Sequence, residues 1–197
     1  MKNGWRRRCV ASTIVLGAVV FSLSQGSKGA SSEIRVGSLP TVFESNVGQA
    51  PQRYRFLSRH SSVNAFFLDT GVDLNLPGKE GTCSRVRFHL LASQPDVVPE
   101  GANPLVSVSN YLLGNDPARW IRGVPNQSQV IYRRIYPGVD LVFHGRGDEL
   151  EHDFRIAPGA DPRLIRFAIE GAEGLSVDNS GNLKISLSTG RLLFKKP

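Results

Sequence analysis

The feature that most constrains this chain is an alternation of apolar and polar residues with a period of two. Residues 85–90 read RVRFHL, so basic and apolar side chains alternate along the segment. In an extended strand successive side chains point to opposite faces, which gathers the apolar ones on one side. Residues 53–57, RYRFL, repeat the pattern. Such segments predict half-buried strands of an antiparallel sheet, with one face on a core and the other in water.

Turn signals separate these segments along the chain. Asp69-Thr70-Gly71 lies between two strand-like segments, and residues 178–182 lie between a later pair, which predicts β-hairpins at both places. A Pro-rich stretch, residues 94–104, is interpreted as a loop. The other predicted strands are residues 63–68, 72–76, 106–113, 129–135, 139–143, 149–156, 165–169, 175–177, 183–187 and 192–195.

Signals for helix are confined to one place. Asp116 followed by Pro117 has the form of a helix start and supports one short turn at most. Roughly ten strands at short spacing, punctuated by Gly and Pro, predict an all-β fold. Its architecture is expected to be an antiparallel β-sandwich or a partly closed barrel.

The first thirty residues differ from the rest of the chain. Lys2 and the run Arg6-Arg7-Arg8 precede an apolar segment, residues 10–23, and small residues follow it. This order is typical of a secretory signal peptide, and about 14 apolar residues are fewer than the roughly 20 that span a bilayer. We therefore predict a signal peptide over residues 1–30 with cleavage near residues 26–30, a linker over 31–41, and a single β domain over 42–197. An uncleaved membrane anchor is the alternative.

Removal of the leader on export would change the net charge and the cysteine content of the protein. The chain carries 24 Lys and Arg against 17 Asp and Glu, a formal net charge of +7. Removing the four basic residues before Val10 leaves about +3, without a basic block of the kind that tracks phosphates, so nucleic acid is not an expected partner. Cys9 would leave with the leader, and Cys83 alone cannot form an intrachain disulfide. The mature protein is expected outside the cytoplasm and without a membrane span. Its fold is expected to be stabilised by the hydrophobic core and not by a disulfide.

Sequence templates for catalysis and metal binding find no match. The four histidines, at positions 60, 89, 144 and 152, lack the spacing of a zinc site, and neither a G-x-S-x-G elbow nor a phosphate-binding glycine loop is present. Cys83 has no candidate base. His152 shares a strand face with Leu150 and Phe154, which favours a partly buried side chain with one hydrogen-bond partner. The sequence predicts a protein without enzymatic activity and without a cofactor, calcium being possible.

A group of carboxylates is the first candidate for chemistry. Glu149, Glu151 and Asp153 occupy alternate positions, so they share one strand face at intervals of about 7 Å. Glu44 and Asp140 could join them in the fold. A solvated face neutralised by arginines, a calcium or sugar site, and a glycosidase pair about 5–10 Å apart are the three alternatives.

Trp120, next to Arg119, is the second candidate. An exposed indole could stack on a sugar ring or on a partner protein, or it could close the end of a sandwich. The second alternative is favoured, because large aromatic side chains commonly fill such positions.

Four ordered motifs resemble an uncharacterised domain of bacterial surface proteins. They are residues 43–49 (FESNVGQ), 110–120 (NYLLGNDPARW), 136–142 (YPGVDLV) and 150–162, which begins LEHDF. In that family the domain follows a signal peptide and precedes SBBP repeats, named for a predicted seven-bladed β-propeller. The resemblance implies the front part of a larger repeat protein whose pattern continues beyond position 197. It assigns no catalytic residue, and relatives often have Tyr at the positions of His144 and His152.

Three functions follow from these observations. The leading one is a secreted or cell-surface module without catalysis, with a structural or interaction role and a glycan or protein partner. The second is a carbohydrate- or calcium-binding domain, and the third is a hydrolase with paired carboxylates. The candidate ligand-binding residues are Glu44, Asn46, Gln49, Asn110, Arg119, Trp120, Asp140, Glu151 and Asp153.

Overall fold

The computed structural model describes residues 12–14, 21–22, 41–59, 63–78, 81–147 and 149–196 of the 197-residue chain. Fifteen strands lie in these ranges: β1 Ser12–Ile14, β2 Phe21–Ser22, β3 Phe43–Ser45, β4 Phe56–Arg59, β5 Asn64–Leu68, β6 Gly71–Pro77, β7 Cys83–Leu90, β8 Glu100–Tyr111, β9 Ile121–Tyr136, β10 Val139–Arg146, β11 Glu149–Ile156, β12 Phe167–Glu170, β13 Gly174–Val177, β14 Leu183–Leu187 and β15 Gly190–Phe194. Two 3-10 turns, Pro117–Arg119 and Pro162–Leu164, complete the described elements.

The prediction of an all-β fold is confirmed. Strands make up 59% of the structure, and ten of them form an antiparallel sheet curled into a half-barrel, beside a small sheet of β13, β14 and β15. The second 3-10 turn has the same origin as the one predicted at Pro117. Asp161, like Asp116, precedes a proline and accepts a hydrogen bond from the backbone two residues further on.

The curled sheet runs in the order β12–β7–β6–β5–β4–β3–β9–β10–β11, with β8 on the other edge of β9. The predicted hairpin at residues 69–71 joins β5 to β6. Gly71 is required there, because a Cβ at this position would lie 1.9 Å from the carbonyl oxygen of Phe88. The predicted hairpin at 178–182 joins β13 to β14, and Asp178 accepts backbone hydrogen bonds across that turn.

The core fills the inside of the curl. Phe67 packs edge-on against Phe43 and Phe143, at centroid distances of 5.5 and 5.0 Å, and all three rings are buried. The small sheet covers another side of this core, where the ring of Phe194 lies 5.0 Å from that of Phe88. The alternation in residues 85–90 therefore gives a half-buried strand as predicted, with Val86 on the core.

The outer face of the sheet is not uniformly exposed to solvent. Asp73 is completely buried there, and Arg87 donates two hydrogen bonds to its carboxylate, at 2.6 and 2.8 Å. Tyr54, from the segment before β4, covers the pair and donates a third at 2.8 Å. Burial raises the pKa of the Asp73 carboxyl, but hydrogen bonds from Arg87 and Tyr54 outweigh burial and lower it overall.

Strands β8 and β9 are longer than the sequence predicted. The stretch 94–104, interpreted as a loop, contributes the start of β8, because Pro104 can sit in an edge strand whose outer N–H groups need no partner. Strand β9 extends for 16 residues and serves β8 on one edge and both β3 and β10 on the other. This long strand carries the chain back from a projecting arm into the curled sheet.

The predicted leader is described only in part. Residues 12–14 pair with β12, and residues 21–22 pair with β11. The rest of residues 1–40, with the predicted cleavage region and linker, lies outside the described residues. In the ranges that the structure does describe, no helix has the length and the apolar character needed to cross a membrane.

Candidate functional site

The most distinctive surface is the projecting arm, which we define as residues 104–125 of β8, β9 and their connection. Among the described strands β8 pairs with β9 alone, so its outer edge presents unpaired backbone groups. Val106 is fully exposed at 104%, Leu113 is exposed at 74%, and Val108 and Leu112 are each exposed by about half. Residues 101–111 contain no charged side chain. The arm therefore offers an uncharged strand edge with an apolar outer face.

The tip of the arm holds Arg119 and Trp120. The Trp120 Nε1 group donates to the carbonyl of Gly114 at 3.1 Å, and the Arg122 guanidinium lies 4.9 Å from the centre of its ring. Arg119 is exposed in the 3-10 turn. Trp120 is half-buried within the tip and does not belong to the core, so the expectation that it closes the end of a sandwich is wrong.

Glu44 joins the arm to the sheet. Its buried carboxylate accepts hydrogen bonds from the hydroxyl of Ser109, at 3.1 Å, and from that of Tyr111. Burial first, and then the hydrogen bond with Glu44, raise the pKa of Tyr111 to about 12, so its phenol stays protonated as a donor at neutral pH. The guanidinium of Arg59 lies 5.2 Å from the centre of the Tyr111 ring.

Asn126 extends this network across β9. Its amide nitrogen donates to the hydroxyl of Ser107 at 3.3 Å, and its amide oxygen lies 3.1 Å from the Ser109 hydroxyl. Buried side-chain polar atoms all have a partner within the described ranges. The residues around Glu44 thus form an anchor for the arm, which we call the base cluster: Glu44, Arg59, Ser107, Ser109, Tyr111 and Asn126. Sequence reasoning singled out only Glu44 among them, although Ser107, Ser109 and Tyr111 at alternate positions mark a polar strand face.

Two further candidates, Asn46 and Gln49, serve the local backbone. The Asn46 amide donates to the carbonyls of Pro51 and Tyr54 at 3.0 and 2.8 Å, and its oxygen accepts from the N–H of Gly48 and Ala50. Gln49 donates to the Ser45 carbonyl at 2.7 Å, so Asn46 and Gln49 fix the loop that carries Tyr54 over Asp73.

Asn110 and Asp140 act in the same way at other positions. The Asn110 oxygen accepts from the N–H of Gly123 at 2.9 Å, across the arm. Asp140 accepts from the N–H of Arg134 at 2.7 Å, where Arg134 adopts a positive φ of 50° and the register of β9 and β10 shifts. Both side chains satisfy irregular backbone and do not point to a shared ligand.

Basic side chains lie beside the acidic strand face. The His144 ring places Nε2 2.9 Å from Asp153 and Nδ1 3.9 Å from Glu151, and Arg146 lies 3.8 Å from Glu151. Glu149 lies 3.4 Å from the amine of Lys195. The described residues include no group of three or more His, Cys, Asp and Glu side chains arranged to hold a metal ion. Of the three alternatives, a solvated face neutralised by arginines fits in part: basic side chains lie beside the carboxylates, but Glu151 is buried, and the basic side chains include His144 and Lys195 as well as Arg146.

The candidate carboxylates occupy separate places. Glu44 lies in the base cluster, Asp140 at the β9–β10 irregularity, and Glu151 with Asp153 beside His144. Glu151 pairs in register with His144, which pairs with Gln129, and Gln129 is roughly 30 Å along the strand from Trp120. The structure does not gather Trp120 and the acidic strand into one carbohydrate site.

One histidine faces the interior instead. The ring of His152 lies 5.6 Å from that of Phe143 and 5.8 Å from that of Phe154, beside a cavity of about 40 Å³. Burial lowers the pKa of His152 to about 4, so the ring is neutral at pH 7. The prediction of a partly buried histidine on the Leu150 face is confirmed.

Comparison with known proteins adds a family and no activity. A family model described as a domain of unknown function matches residues 43–197. No curated protein and no solved structure matches the chain.

Proposed function

We propose that this chain, which belongs to the DUF7948 family of domains of unknown function over residues 43–197, is an exported β module that binds protein and performs no catalysis. The observation that carries the proposal is the outer edge of β8, with which none of the described strands pairs. Natural sheets usually protect such edges with charged side chains, bulges or a covering element. Strand β8 contains Pro104 and has register irregularities between Pro104 and Val108 and between Ser109 and Tyr111, but residues 101–111 are uncharged, and Val106 and Val108 face water. An edge of this kind suits strand addition by a partner.

The partner that we propose is a second copy of the chain. Two β8 strands can pair antiparallel about a two-fold axis, which brings the same patch of each copy together. Since residues 101–111 carry no charge, this pairing places no like charges opposite each other. The outward valines of the two copies would then cover one another.

Sedimentation equilibrium of the protein with Val106→Lys tests this contact. Wild type is expected to self-associate, and the substitution should weaken association at least tenfold, about 1.4 kcal/mol, because each copy would place an ammonium group in the new strand pair. Val177→Lys is the matched control, since Val177 is also an exposed strand valine, 63% accessible, on the small sheet. A monomeric wild type, or equal association of the two variants, would contradict the proposal.

Export rests on the leader. Lys2, the arginines at positions 6–8 and the apolar run 10–23 support it. When the full chain is expressed in a Gram-negative host, we expect protein in the periplasm or medium with an N-terminus between residues 27 and 31, read by mass spectrometry. Val15→Asp should leave the chain unprocessed in the cytoplasm, whereas Ser38→Asp in the linker should not. Full-length wild-type protein in the cytoplasm would overturn this part of the proposal.

The resemblance to SBBP proteins supports a position ahead of a repeat region. The DNA that follows codon 197 tests it directly. A continuation that encodes β-propeller repeats is expected, and an intergenic gap would contradict it.

A further inference from the structure

The curled sheet has two edges that border one apolar interior. Strand β11 forms one edge and β12 the other, apart from the leader strands. Phe154 on β11 and Phe167 on β12 line the same cavity, together with His152. We call the opening between β11 and β12 the seam. Its walls are apolar, and both of its edge strands carry backbone groups that need partners.

Two pieces of the leader pair with these edges. Residues 12–14 lie antiparallel to β12, with Ile14 opposite Phe167, and residues 21–22 lie antiparallel to β11, with Phe21 opposite His152. Both edges of the seam are therefore already paired with extended backbone of this chain, β1 on β12 and β2 on β11.

Chain length limits how wide the seam is. Seven residue steps separate Ile14 from Phe21, and an extended chain of that length spans at most about 25 Å. Because Ile14 pairs with one edge and Phe21 with the other, both edges lie within reach of a single short segment. The half-barrel curls far enough for one peptide to serve both edges.

The chemistry of the segment matches the walls. Residues 10–23 contain no charged side chain and consist mainly of Val, Ala, Leu, Ile and Phe. A charged segment would bring unpaired charges to an apolar interior, at high cost in free energy. An uncharged, strand-forming segment satisfies the edge amides and covers apolar side chains at once.

We propose that the seam is a strand-binding groove, and that residues 12–14 and 21–22 of the leader occupy it in the unprocessed chain. The leader then completes the sheet by adding one strand to β12 and another to β11. Removal of residues 1–30 would uncover both edges, beside the cavity that Phe194 of the small sheet also lines. This gives the leader a role in the fold beside export, and it involves neither the arm nor its partner.

Disulfide trapping in the full-length chain tests the pairing. The protein is made by cell-free synthesis without membranes, so the leader stays attached, and Cys9 and Cys83 are replaced by Ser. Thr13→Cys is combined with Ala168→Cys, because these residues are direct register partners and their Cα atoms lie within bridging range. We expect an intramolecular disulfide under mild oxidation, identified as a linked peptide by mass spectrometry.

The matched control places the second cysteine on β7, the strand that pairs with the other side of β12. His89 pairs with Ala168 from its other side, so the Cα atoms of residues 13 and 89 lie about 10 Å apart, beyond bridging range. Thr13→Cys with His89→Cys should crosslink at least tenfold more slowly. Equal yields in the two proteins, or no bridge in either, would overturn the proposal.

The other edge supplies an independent pair in case the first variant fails to fold. Ser22→Cys with Glu151→Cys should form a bridge, whereas Ser22→Cys with His144→Cys, one strand further along the row, should not. A bridge at the β12 edge without one at the β11 edge would contradict a single segment serving both. Both tests are independent of the sedimentation experiment on Val106, so each proposal can fail alone.

Discussion

The curled sheet and the arm use the same alternating sequence pattern with opposite outcomes. In β6 and β7 the apolar members, Leu74 and Val86, face the core. In β8 the apolar members, Val106 and Val108, face water, while Ser109 and Tyr111 turn toward the buried carboxylate of Glu44. A period of two therefore identifies a strand without deciding which of its faces becomes buried.

The inversion has a cause in the partners that each strand meets. Strands β6 and β7 lie against the apolar inside of the half-barrel, so burying Leu74 and Val86 is favourable. Strand β8 meets Glu44 and Asn126, two buried polar groups that must be hydrogen-bonded. The hydroxyl groups of β8 satisfy them, and its valines are left outside. The sheet is stabilised by apolar burial and the arm by a polar anchor.

The largest expected effect comes from comparing a buried ion pair on the curled sheet with an exposed ion pair beside the arm. Arg87→Leu removes both guanidinium hydrogen bonds from fully buried Asp73, and we expect it to lower the free energy of unfolding by about 3 kcal/mol in urea titrations. Arg133→Leu is the control, since Arg133 pairs with Glu100 beside the arm while both side chains are more than half exposed. That change should cost less than about 1 kcal/mol. Similar losses in the two variants would show that the cover over Asp73 has no energetic effect.

The sequence alone predicts the strands better than it predicts what covers them. The segment 85–90 becomes β7, and the turn at residues 69–71 joins β5 to β6, because both depend on local chemistry. The burial of Asp73 depends on Tyr54, which lies 19 positions earlier in the chain and is placed by Asn46. Contacts of this kind leave no periodic signal, so the sequence suggested only a wet polar face.

The candidate site shows the same limit. The shared face of Glu151 and Asp153 was predicted correctly from their spacing, since a strand fixes that geometry. Their partner, His144, comes from a different strand, and only the register of β10 and β11 brings it close. Asn46, Gln49 and Asn110 are polar residues of the recognised motifs, and the structure engages all three in backbone hydrogen bonds. A sequence motif does not separate such a role from ligand binding.

The buried ring of His152 makes the stability of the curled sheet depend on pH, which gives a second test of the comparison. Burial, the largest cause, and the charge of His144 lower the pKa of His152 to about 4, while Asp153 opposes them. Above pH 6.5 the ring is neutral in both the folded and the unfolded chain, so it has no effect. Between pH 6.5 and 4 the unfolded chain gains a proton that the folded chain does not, so stability falls by about 2–3 kcal/mol as pH decreases. Below pH 4 the loss is complete.

Urea titrations at several pH values measure this effect. His152→Tyr should be more stable than wild type at pH 4 relative to pH 7, because tyrosine gains no proton in that range. His89→Gln controls for a histidine outside the interior and should keep the wild-type decline. If His152→Tyr declines as steeply as wild type, another group is responsible for the pH dependence.

The smallest expected effect concerns the polar anchor of the arm. Tyr111→Phe removes one of the two hydroxyl donors to Glu44 and leaves the ring in place. We expect a loss of about 1–2 kcal/mol, because a buried carboxylate with fewer donors is less stable in the folded chain. The loss should be local. Amide hydrogen exchange in β8 should accelerate, while the β5–β6 hairpin keeps its protection. Val177→Ala, at an exposed strand position of the small sheet, should change neither region. Unchanged exchange in β8 after Tyr111→Phe would mean that backbone pairing with β9 holds the arm without the base cluster.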